Sequence, residues 1–155
     1  MENVIKTFYN AFHKLDAETM ASCYHDSIVF EDPAFGVLKG EKARNMWRML
    51  CESQKGKNFV VEASNITCND SKGSAHWEAH YTFSKTGRKI HNIIDAEFII
   101  KDGKIIKHTD TFNLHNWAKQ ALGFKGYLFG GTNFFRNKLQ SQTHHLLSKF
   151  EKNSV

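Results

Sequence analysis

The chain has 155 residues, of which 41% are hydrophobic, 13% aromatic and 24% charged, and its formal net charge is +5. This length and composition predict one globular domain with a substantial core, and they exclude a disordered chain. No window approaches the roughly 18 consecutive apolar residues of a membrane span, and the first residues lack the apolar region of a signal peptide. We therefore expect a soluble, cytoplasmic protein without a transmembrane segment.

The basic excess is confined to the C-terminal part of the chain. Residues 1–113 contain 15 Lys and Arg against 15 Asp and Glu, whereas residues 114–155 contain six against the single Glu151. Because no basic stripe crosses the body, we expect no nucleic-acid partner. We also expect neither a cofactor nor a metal site. His76 and His80 lie four apart on a predicted strand, where that spacing does not converge as it would on a helix.

The first third of the chain has the apolar spacing of amphipathic helices. Apolar residues recur at intervals of three and four from Glu2 to Leu15 and again from Glu41 to Ser53, which predicts two helices. Between them, Asp16 is expected to cap a short helix over Ala17–Cys23. A short strand is expected over Ser27–Glu31.

A loop is expected after this first strand. Asp32-Pro33 should end the strand, because proline cannot donate to a ladder and restricts the residue before it. Gly36 and Gly40 then indicate an irregular connection to the next helix.

From Asn58 onward the apolar pattern has a period of two, which predicts a run of antiparallel strands. The expected strands are Phe59–Cys68, Ser74–Lys85, Lys89–Lys101 and the run that follows the Asp102-Gly103 turn as far as Phe112. A two-residue Thr86-Gly87 turn would place Tyr81 opposite Asn92, Ala79 opposite Ile94 and Trp77 opposite Ala96. Helices grouped before a strand run indicate an α+β fold in which a curved sheet wraps over the helices.

Polar side chains gather on an otherwise apolar face of the last two strands. Side chains alternate along a strand, so this face combines two sets, Asn92, Ile94, Ala96, Phe98 and Ile100, and Ile106, His108, Asp110 and Phe112. A carboxylate that faces a core is costly without partners, which favours a pocket over a solid core. We expect Asp110 to be the principal acid/base, assisted by His108. Asp32, at a strand end beside loop glycines, should be easier to solvate and should contribute less.

Other side chains on this face are candidates for ligand contact. Asn92 and Tyr81 could orient a ligand carbonyl or could satisfy one another. Trp77, Ile94, Phe98 and Phe112 supply apolar surface, either for a ligand or for the core.

The C-terminal segment is rich in aromatic residues and glycines. A closing amphipathic helix is marked by Phe135, Leu139, Leu146, Leu147 and Phe150. We expect it to pack against the body or a second subunit. Weak contact with a membrane surface by the basic tail is the alternative.

Three segments carry a family resemblance: FYNAFHKLDAETMASCYHDSIVFEDP, GEKARNMWRMLC and AEFIIKDGKIIKHTDTFNLHNWAKQALG. In their order and spacing, the chain resembles the nuclear transport factor 2-like superfamily, and within it the ketosteroid isomerase and SnoaL-like polyketide cyclase group. For residues 1–122 the resemblance implies a cone-shaped α+β fold, also called cystatin-like, with N-terminal helices packed into a strongly curved antiparallel sheet. Residues 123–155 would form a basic, aromatic helical extension.

The resemblance also implies roles for individual positions. In ketosteroid isomerases the aspartate of the Glu-Asp-Pro element is the base, and this position falls on Asp32. Their oxyanion-donating tyrosine falls on Phe8, with Tyr9 beside it, so these two are further candidates for ligand contact. Their protonated aspartate falls on Asp95 or, when the strand faces are restored, on Ala96. The resemblance therefore implies the base but not the oxyanion donors of a steroid isomerase.

SnoaL-like cyclases and limonene-epoxide-hydrolase-like enzymes have an acid/base aspartate on the last strand, and this position matches Asp110. The Arg-x-Asp pair of the epoxide hydrolases falls on Trp77 and Ala79, so epoxide hydrolysis by that route is not implied. Many members of the superfamily are non-catalytic binding or assembly modules, and the fold alone does not decide the function.

Three hypotheses follow. The first is a small cofactor-independent enzyme, of isomerase, cyclase or hydratase type, that uses Asp/His acid–base chemistry on a hydrophobic carbonyl compound. The second is a binding protein for a hydrophobic small molecule, and the third is a structural dimerisation module. In each case we expect a homodimer, because sheets of this class commonly pack through their outer face.

Overall fold

The computed structural model describes residues 3–154. The strands are β1 (Tyr24–Asp32), β2 (Gly36–Lys39), β3 (Val60–Cys68), β4 (Lys72–Phe83), β5 (Arg88–Lys101) and β6 (Lys104–Thr111). The helices are α1 (Val4–His13), α2 (Ala17–Ser22), α3 (Glu41–Gln54), α4 (Leu114–Leu122), α5 (Phe124–Phe129) and α6 (Asn133–Asn153). The predicted first helix included Glu2, which lies outside the described residues.

The strands form one curled sheet in the order β2-β1-β6-β5-β4-β3. β1 and β6 run parallel, whereas the other neighbouring pairs are antiparallel. The inner face of the sheet packs on α1 and α3 in one large apolar core, and a smaller core joins α4 to Ile90. The predicted α+β cone is therefore confirmed.

The loop predicted around Gly36 contains a strand instead. Gly36–Lys39 pairs with β1, with Asp32 opposite Gly36 and Val29 opposite Lys39. A tight turn reverses the chain because the Asp32 side chain accepts hydrogen bonds from the amides of Ala34 and Phe35. Of the four strand residues only Leu38 is buried, which explains why the sequence carries little apolar signal for this strand.

The predicted register of β4 and β5 is wrong by two residues. Tyr81 lies opposite Ile90, Ala79 opposite Asn92 and Trp77 opposite Ile94. The connection has four residues rather than two, since it begins after Phe83 and is closed by a 2.8 Å hydrogen bond from the Gly87 amide to the Phe83 carbonyl. A shift of two residues leaves the alternation of side chains unchanged, so the predicted inner face of β4 holds.

One position on β6 also differs from the prediction. Phe98 lies opposite His108 and Ala96 opposite Asp110, as expected for residues of β5 and β6 on the same face of the sheet. An irregularity after Ile99 places Ile105 opposite Ile100, and Ile105 is fully buried. Ile106, which was predicted on the inner face, is displaced from it because a bulge inserts one unpaired residue.

The C-terminal helix α6 packs across the β1–β2 turn. Three of its side chains, on adjacent turns, bond three consecutive carbonyls: Gln140 to Pro33, Thr143 to Ala34 and His144 to Phe35. Near its end, Glu151 accepts from Asn45 and Lys42 of α3. The predicted packing of this helix against the body is thus observed. Within residues 3–154, no helix has the length and apolar character needed to cross a membrane.

Candidate functional site

A cavity of about 290 Å³ lies between the inner sheet face and helices α1, α3, α4 and α6. Its volume is at the lower end of the range of about 300–1,000 Å³ for small-molecule sites. Most of its lining is apolar or aromatic, and two carboxylates, Asp32 and Asp110, belong to it. Of the other predicted site residues, the cavity lining includes Trp77, Tyr81, Asn92, Ile94 and Phe112.

Asp110 is held in one orientation by two donors. Its Oδ1 atom accepts from Nε1 of Trp77 at 3.2 Å and bonds Nε2 of His108 at 2.9 Å. Among the described residues no hydrogen bond reaches Oδ2, which leaves this oxygen available to a ligand. The predicted pairing of Asp110 with His108 is therefore present in the structure.

His108 is fully buried and lies behind Asp110 rather than in the cavity lining. Its Nδ1 atom bonds the Tyr24 hydroxyl at 2.8 Å, and that hydroxyl accepts from Nε1 of Trp47 at 2.8 Å. Because the Trp47 indole can only donate, the Tyr24 proton is free to go to Nδ1. In the arrangement that satisfies every atom, Nδ1 of His108 accepts from Tyr24 and Nε2 donates to Asp110.

Phe8, Tyr9 and Phe98 also lie outside the cavity lining. The rings of Phe8 and Phe98 pack on His108, with centroids 5.5 and 4.4 Å from the imidazole. Tyr9 packs on Trp77 and Phe98. Among the described residues, the Tyr9 hydroxyl is buried without a hydrogen-bond partner. Burial is the main cause that raises the pKa of Tyr9 well above the usual range, and the charge of Asp110 adds to it. These three side chains therefore lie behind the cavity wall, and their contact with a ligand stays a prediction.

Asp32 lies in a different environment from the one predicted. Its Oδ1 atom accepts from the amides of Phe35 at 2.6 Å and Ala34 at 2.9 Å. Burial raises the pKa of its carboxyl to about 7; the Phe35 amide opposes this shift and the Asp110 charge adds to it. Asp32 is only partly exposed, and therefore less accessible to solvent than expected, because α6 packs across the turn that holds it.

The two carboxylates are neighbours across the parallel pair of strands. Phe30 of β1 lies opposite His108 of β6, and Glu31 lies opposite Thr109. The next positions along the two strands are Asp32 and Asp110, so both side chains point to the inner face. Their proximity explains why the charge of Asp110 favours the protonated form of Asp32.

Two further polar side chains lie along the cavity wall. The Tyr81 hydroxyl accepts from Nε1 of Trp117 at 2.8 Å, so its own proton remains free for a ligand. Asn92 lies opposite Ala79, and the predicted pairing of Asn92 with Tyr81 is therefore wrong. No described residue makes a hydrogen bond to the Asn92 side chain, and its amide can donate into the cavity.

Three aromatic residues and one helix that support this site were not predicted from the sequence. Tyr24 and Trp47 support His108, Trp117 orients Tyr81, and α6 supplies one cavity wall. For the aromatic residues the only signal was apolar spacing on helices and strands, which does not distinguish a packed ring from a ring that also donates a hydrogen bond.

Among residues 3–154, one group with donor atoms close enough to hold a metal ion lies on the opposite sheet face. Donor atoms of Glu78, His80 and His91 lie within 4.8 Å of one another. The His76 imidazole bonds Asp95 and Glu78, each at 2.9 Å. Both bonds raise the pKa of His76, and the bond to Asp95 has the larger effect. Cross-strand pairing of His80 with His91 brings these rings together, although spacing along one strand could not. This cluster does not contact the cavity.

Comparison with known proteins adds a family and a fold. The model of one family, described as SnoaL-like domain, matches residues 5–108. No curated protein matches the sequence.

Solved structures match the fold at low sequence identity. A limonene-epoxide-hydrolase-like (LEH-like) epoxide hydrolase from Mycobacterium tuberculosis is 20% identical with a TM-score of 0.60, over 82% of this chain and 88% of its own. A candidate polyketide cyclase from Xanthomonas campestris is 19% identical with a TM-score of 0.60, over 76% and 93%. A protein with a ketosteroid isomerase-like fold from Catenulispora acidiphila, solved with trimethylamine, is 10% identical with a TM-score of 0.62, over 78% and 93%. At these identities the matches establish the fold alone.

Proposed function

The chain belongs to the SnoaL-like domain family, and on this premise we propose that it is a small cofactor-independent acid–base catalyst that acts on a hydrophobic carbonyl compound in the cavity. The observation that carries the proposal is the placement of Asp32 beside Asp110 in an apolar cavity. A carboxyl with a pKa of about 7 can both accept and return a proton at neutral pH.

The two carboxylates have different roles in this proposal. Asp32, in its ionised form, removes a proton from the carbon next to the carbonyl and returns it to the same or another carbon of the substrate. Asp110 is a fixed anion, oriented by Trp77 and His108, that strengthens Asp32 as a base. The sequence favoured Asp110 as the principal base; the hydrogen bonds around both groups favour Asp32 for the proton transfer.

Negative charge that develops on the substrate oxygen needs donors. The Tyr81 hydroxyl has a free proton because it already accepts from Trp117, and the Asn92 amide has no described partner. Both residues line the cavity. They are our candidates for the oxyanion donors that Phe8 cannot supply.

The test is exchange of α-protons in an apolar ketone, 2-tetralone, followed by proton NMR in deuterated buffer. We expect the wild type to accelerate exchange and Asp32→Asn to lower the rate about 100-fold or more. Asp110→Asn should have a smaller effect. Asp70→Asn, which changes an exposed carboxylate, is the matched control. Equal rates for Asp32→Asn and Asp70→Asn would refute the proposed base.

The alternative function is binding of a hydrophobic small molecule without chemistry, and the largely apolar lining favours it. In that case 2-tetralone would bind the wild type and Asp32→Asn equally, whereas Trp77→Ala would weaken binding, and no variant would exchange protons.

The homodimer and the cytoplasmic location stay predictions. Exposed Ile93 and Ile99 on the outer face of β5 offer apolar surface for a sheet-to-sheet contact. A monomeric mass by light scattering at tens of micromolar would contradict the dimer, and with it the third hypothesis, a structural dimerisation module.

A further inference from the structure

Helix α5 turns a glycine to the body of the protein and its large apolar side chains to solvent, the reverse of an ordinary amphipathic helix. Its contact with the body is made by glycine: a Cβ atom at Gly126 would lie 1.9 Å from the Ala118 carbonyl oxygen, and one at Gly130 would lie 2.4 Å from the Ala118 side chain. The backbone of α5 therefore lies directly on α4. No large side chain of α5 is buried in this contact.

The large apolar side chains of this segment point to solvent instead. Five of them are between 49% and 76% exposed, namely Phe124, Tyr127, Leu128, Phe129 and Phe134. We call these five residues the aromatic patch. They fall within eleven consecutive residues, and a concentration of exposed apolar groups of this kind indicates an interaction surface.

The charged residues of the segment that contains the aromatic patch have one sign. Between residues 111 and 150 the sequence has five Lys or Arg and no Asp or Glu. Lys125, Arg136 and Lys138 are exposed. The first residue of β5 adds Arg88, whose Nε atom donates to the Gln120 carbonyl at 2.7 Å beside the start of α5. The patch is thus a cluster of aromatic and aliphatic side chains with a cationic border.

From this combination we propose that the aromatic patch docks on the surface of an anionic lipid bilayer. Aromatic and leucine side chains enter the boundary between headgroups and acyl chains, while Lys and Arg contact anionic headgroups. Charge complementarity favours this occupant over a second copy of the chain. A two-fold contact through the patch would bring the same cations of both copies together, and residues 111–150 supply no acid to compensate them.

The patch is adjacent to the cavity. Phe134 belongs to the patch, whereas the next residue, Phe135, lines the cavity, and exposed Lys85 on the β4–β5 loop also belongs to the lining. A protein docked in this way would take its apolar ligand from the bilayer. This consequence, unlike the docking itself, rests on the proposed function.

The experiment is flotation of the full-length protein with vesicles of phosphatidylcholine alone or with about 30% phosphatidylserine. We expect binding to the anionic vesicles only, with a loss in about 0.5 M salt. Arg136→Gln/Lys138→Gln should weaken partitioning on the order of tenfold or more. Phe124→Ser/Phe134→Ser should weaken it at least as much, because it removes the two most exposed rings.

The matched control is Ile93→Ser/Ile99→Ser, which removes two exposed apolar side chains from the sheet face and should leave vesicle binding unchanged. Binding of the wild type to neither vesicle would overturn the proposal. It would also be overturned if Phe124→Ser/Phe134→Ser converted a dimer into monomers without any lipid binding, because a second copy would then be the occupant. Asp32→Asn should float like the wild type, which separates this test from the test of catalysis.

Discussion

The hydroxyl of Tyr24 and Nδ1 of His108 are 2.8 Å apart, and this bond joins β1 to β6 beneath the cavity. Because the same hydroxyl accepts from Trp47, one side chain fixes both the indole of α3 and the tautomer of the imidazole that orients Asp110. The polar groups behind the candidate site therefore form one continuous series of hydrogen bonds.

Tyr24→Phe should destabilise the protein while leaving the apolar packing in place. The substitution leaves Nε1 of Trp47 and Nδ1 of His108 each without a partner. A buried polar group left unpaired costs about 1–3 kcal/mol. Urea unfolding should show a lower free energy of unfolding for Tyr24→Phe and no change for Tyr127→Phe, whose ring is 59% exposed. Equal stability of both variants would show that water or a rearranged side chain replaces the Tyr24 hydroxyl.

The ionisation of Asp32 should make folding stability depend on pH. Its pKa is raised from the ordinary 3.8 to about 7 in the folded state, so the unfolded chain loses this proton first as the pH rises. The protonated carboxyl contributes its full stability below about pH 4, and the contribution is lost as the pH rises through about 7. Each pKa unit corresponds to about 1.4 kcal/mol, which bounds the loss at about 4 kcal/mol.

The measurement is the difference in the free energy of unfolding between the wild type and Asp32→Asn at several pH values. In this difference, the pH dependence contributed by titratable groups that both proteins share cancels. The wild type should lose stability relative to the variant between pH 4 and 7 and then remain constant. A difference independent of pH would contradict the raised pKa.

The part of the site that depends on strand alternation could be predicted from the sequence. His108 and Asp110 were placed on one inner face with Ile94 and Phe98, and the structure pairs them there. The error of two residues at Tyr81 did not matter for the face, because side chains repeat every two residues. Its effect was limited to which residues lie opposite each other across β4 and β5.

The part that depends on contacts distant in sequence could not be predicted. The turn that follows Asp32 is covered by α6, whose Gln140 bonds the carbonyl of Pro33, 107 residues earlier in the sequence. Local patterns describe Asp32-Pro33 as a strand end, which is correct, and they contain no information on what covers it. The close approach of Gly126 to Ala118 is likewise a tertiary contact, which local patterns do not contain.

Deletion of residues 124–155 should remove one wall of the cavity and cause aggregation. Phe135, Leu139 and Leu146 of α6 line the cavity, and buried Leu147 packs in the main core. Without them, the inner sheet face would be open to solvent. Light scattering of the truncated protein should show large particles. A soluble truncation with unchanged stability would show that the extension is an independent appendage.

The hydrogen bond from Thr143 to the Ala34 carbonyl should influence the ionisation of Asp32, although the two side chains are not bonded to each other. The Thr143 hydroxyl donates to the Ala34 carbonyl at 2.9 Å. In the same turn, the amides of Ala34 and Phe35 donate to the Asp32 carboxyl. In Thr143→Val the shape is kept and the donor is lost, so the turn loosens and water gains access to the carboxyl. Because burial is the main cause of the raised pKa, we expect the pKa of Asp32 in Thr143→Val to fall below that of the wild type.

Carbon-13 NMR of labelled aspartate, with the Asp32 signal assigned by its absence in Asp32→Asn, measures this pKa directly. Ser141→Ala, an exposed change on the same helix, should leave the titration unchanged. If Thr143→Val titrated like the wild type, α6 would cover Asp32 without controlling its environment, and the remaining bonds from Gln140 and His144 would be sufficient to hold the turn.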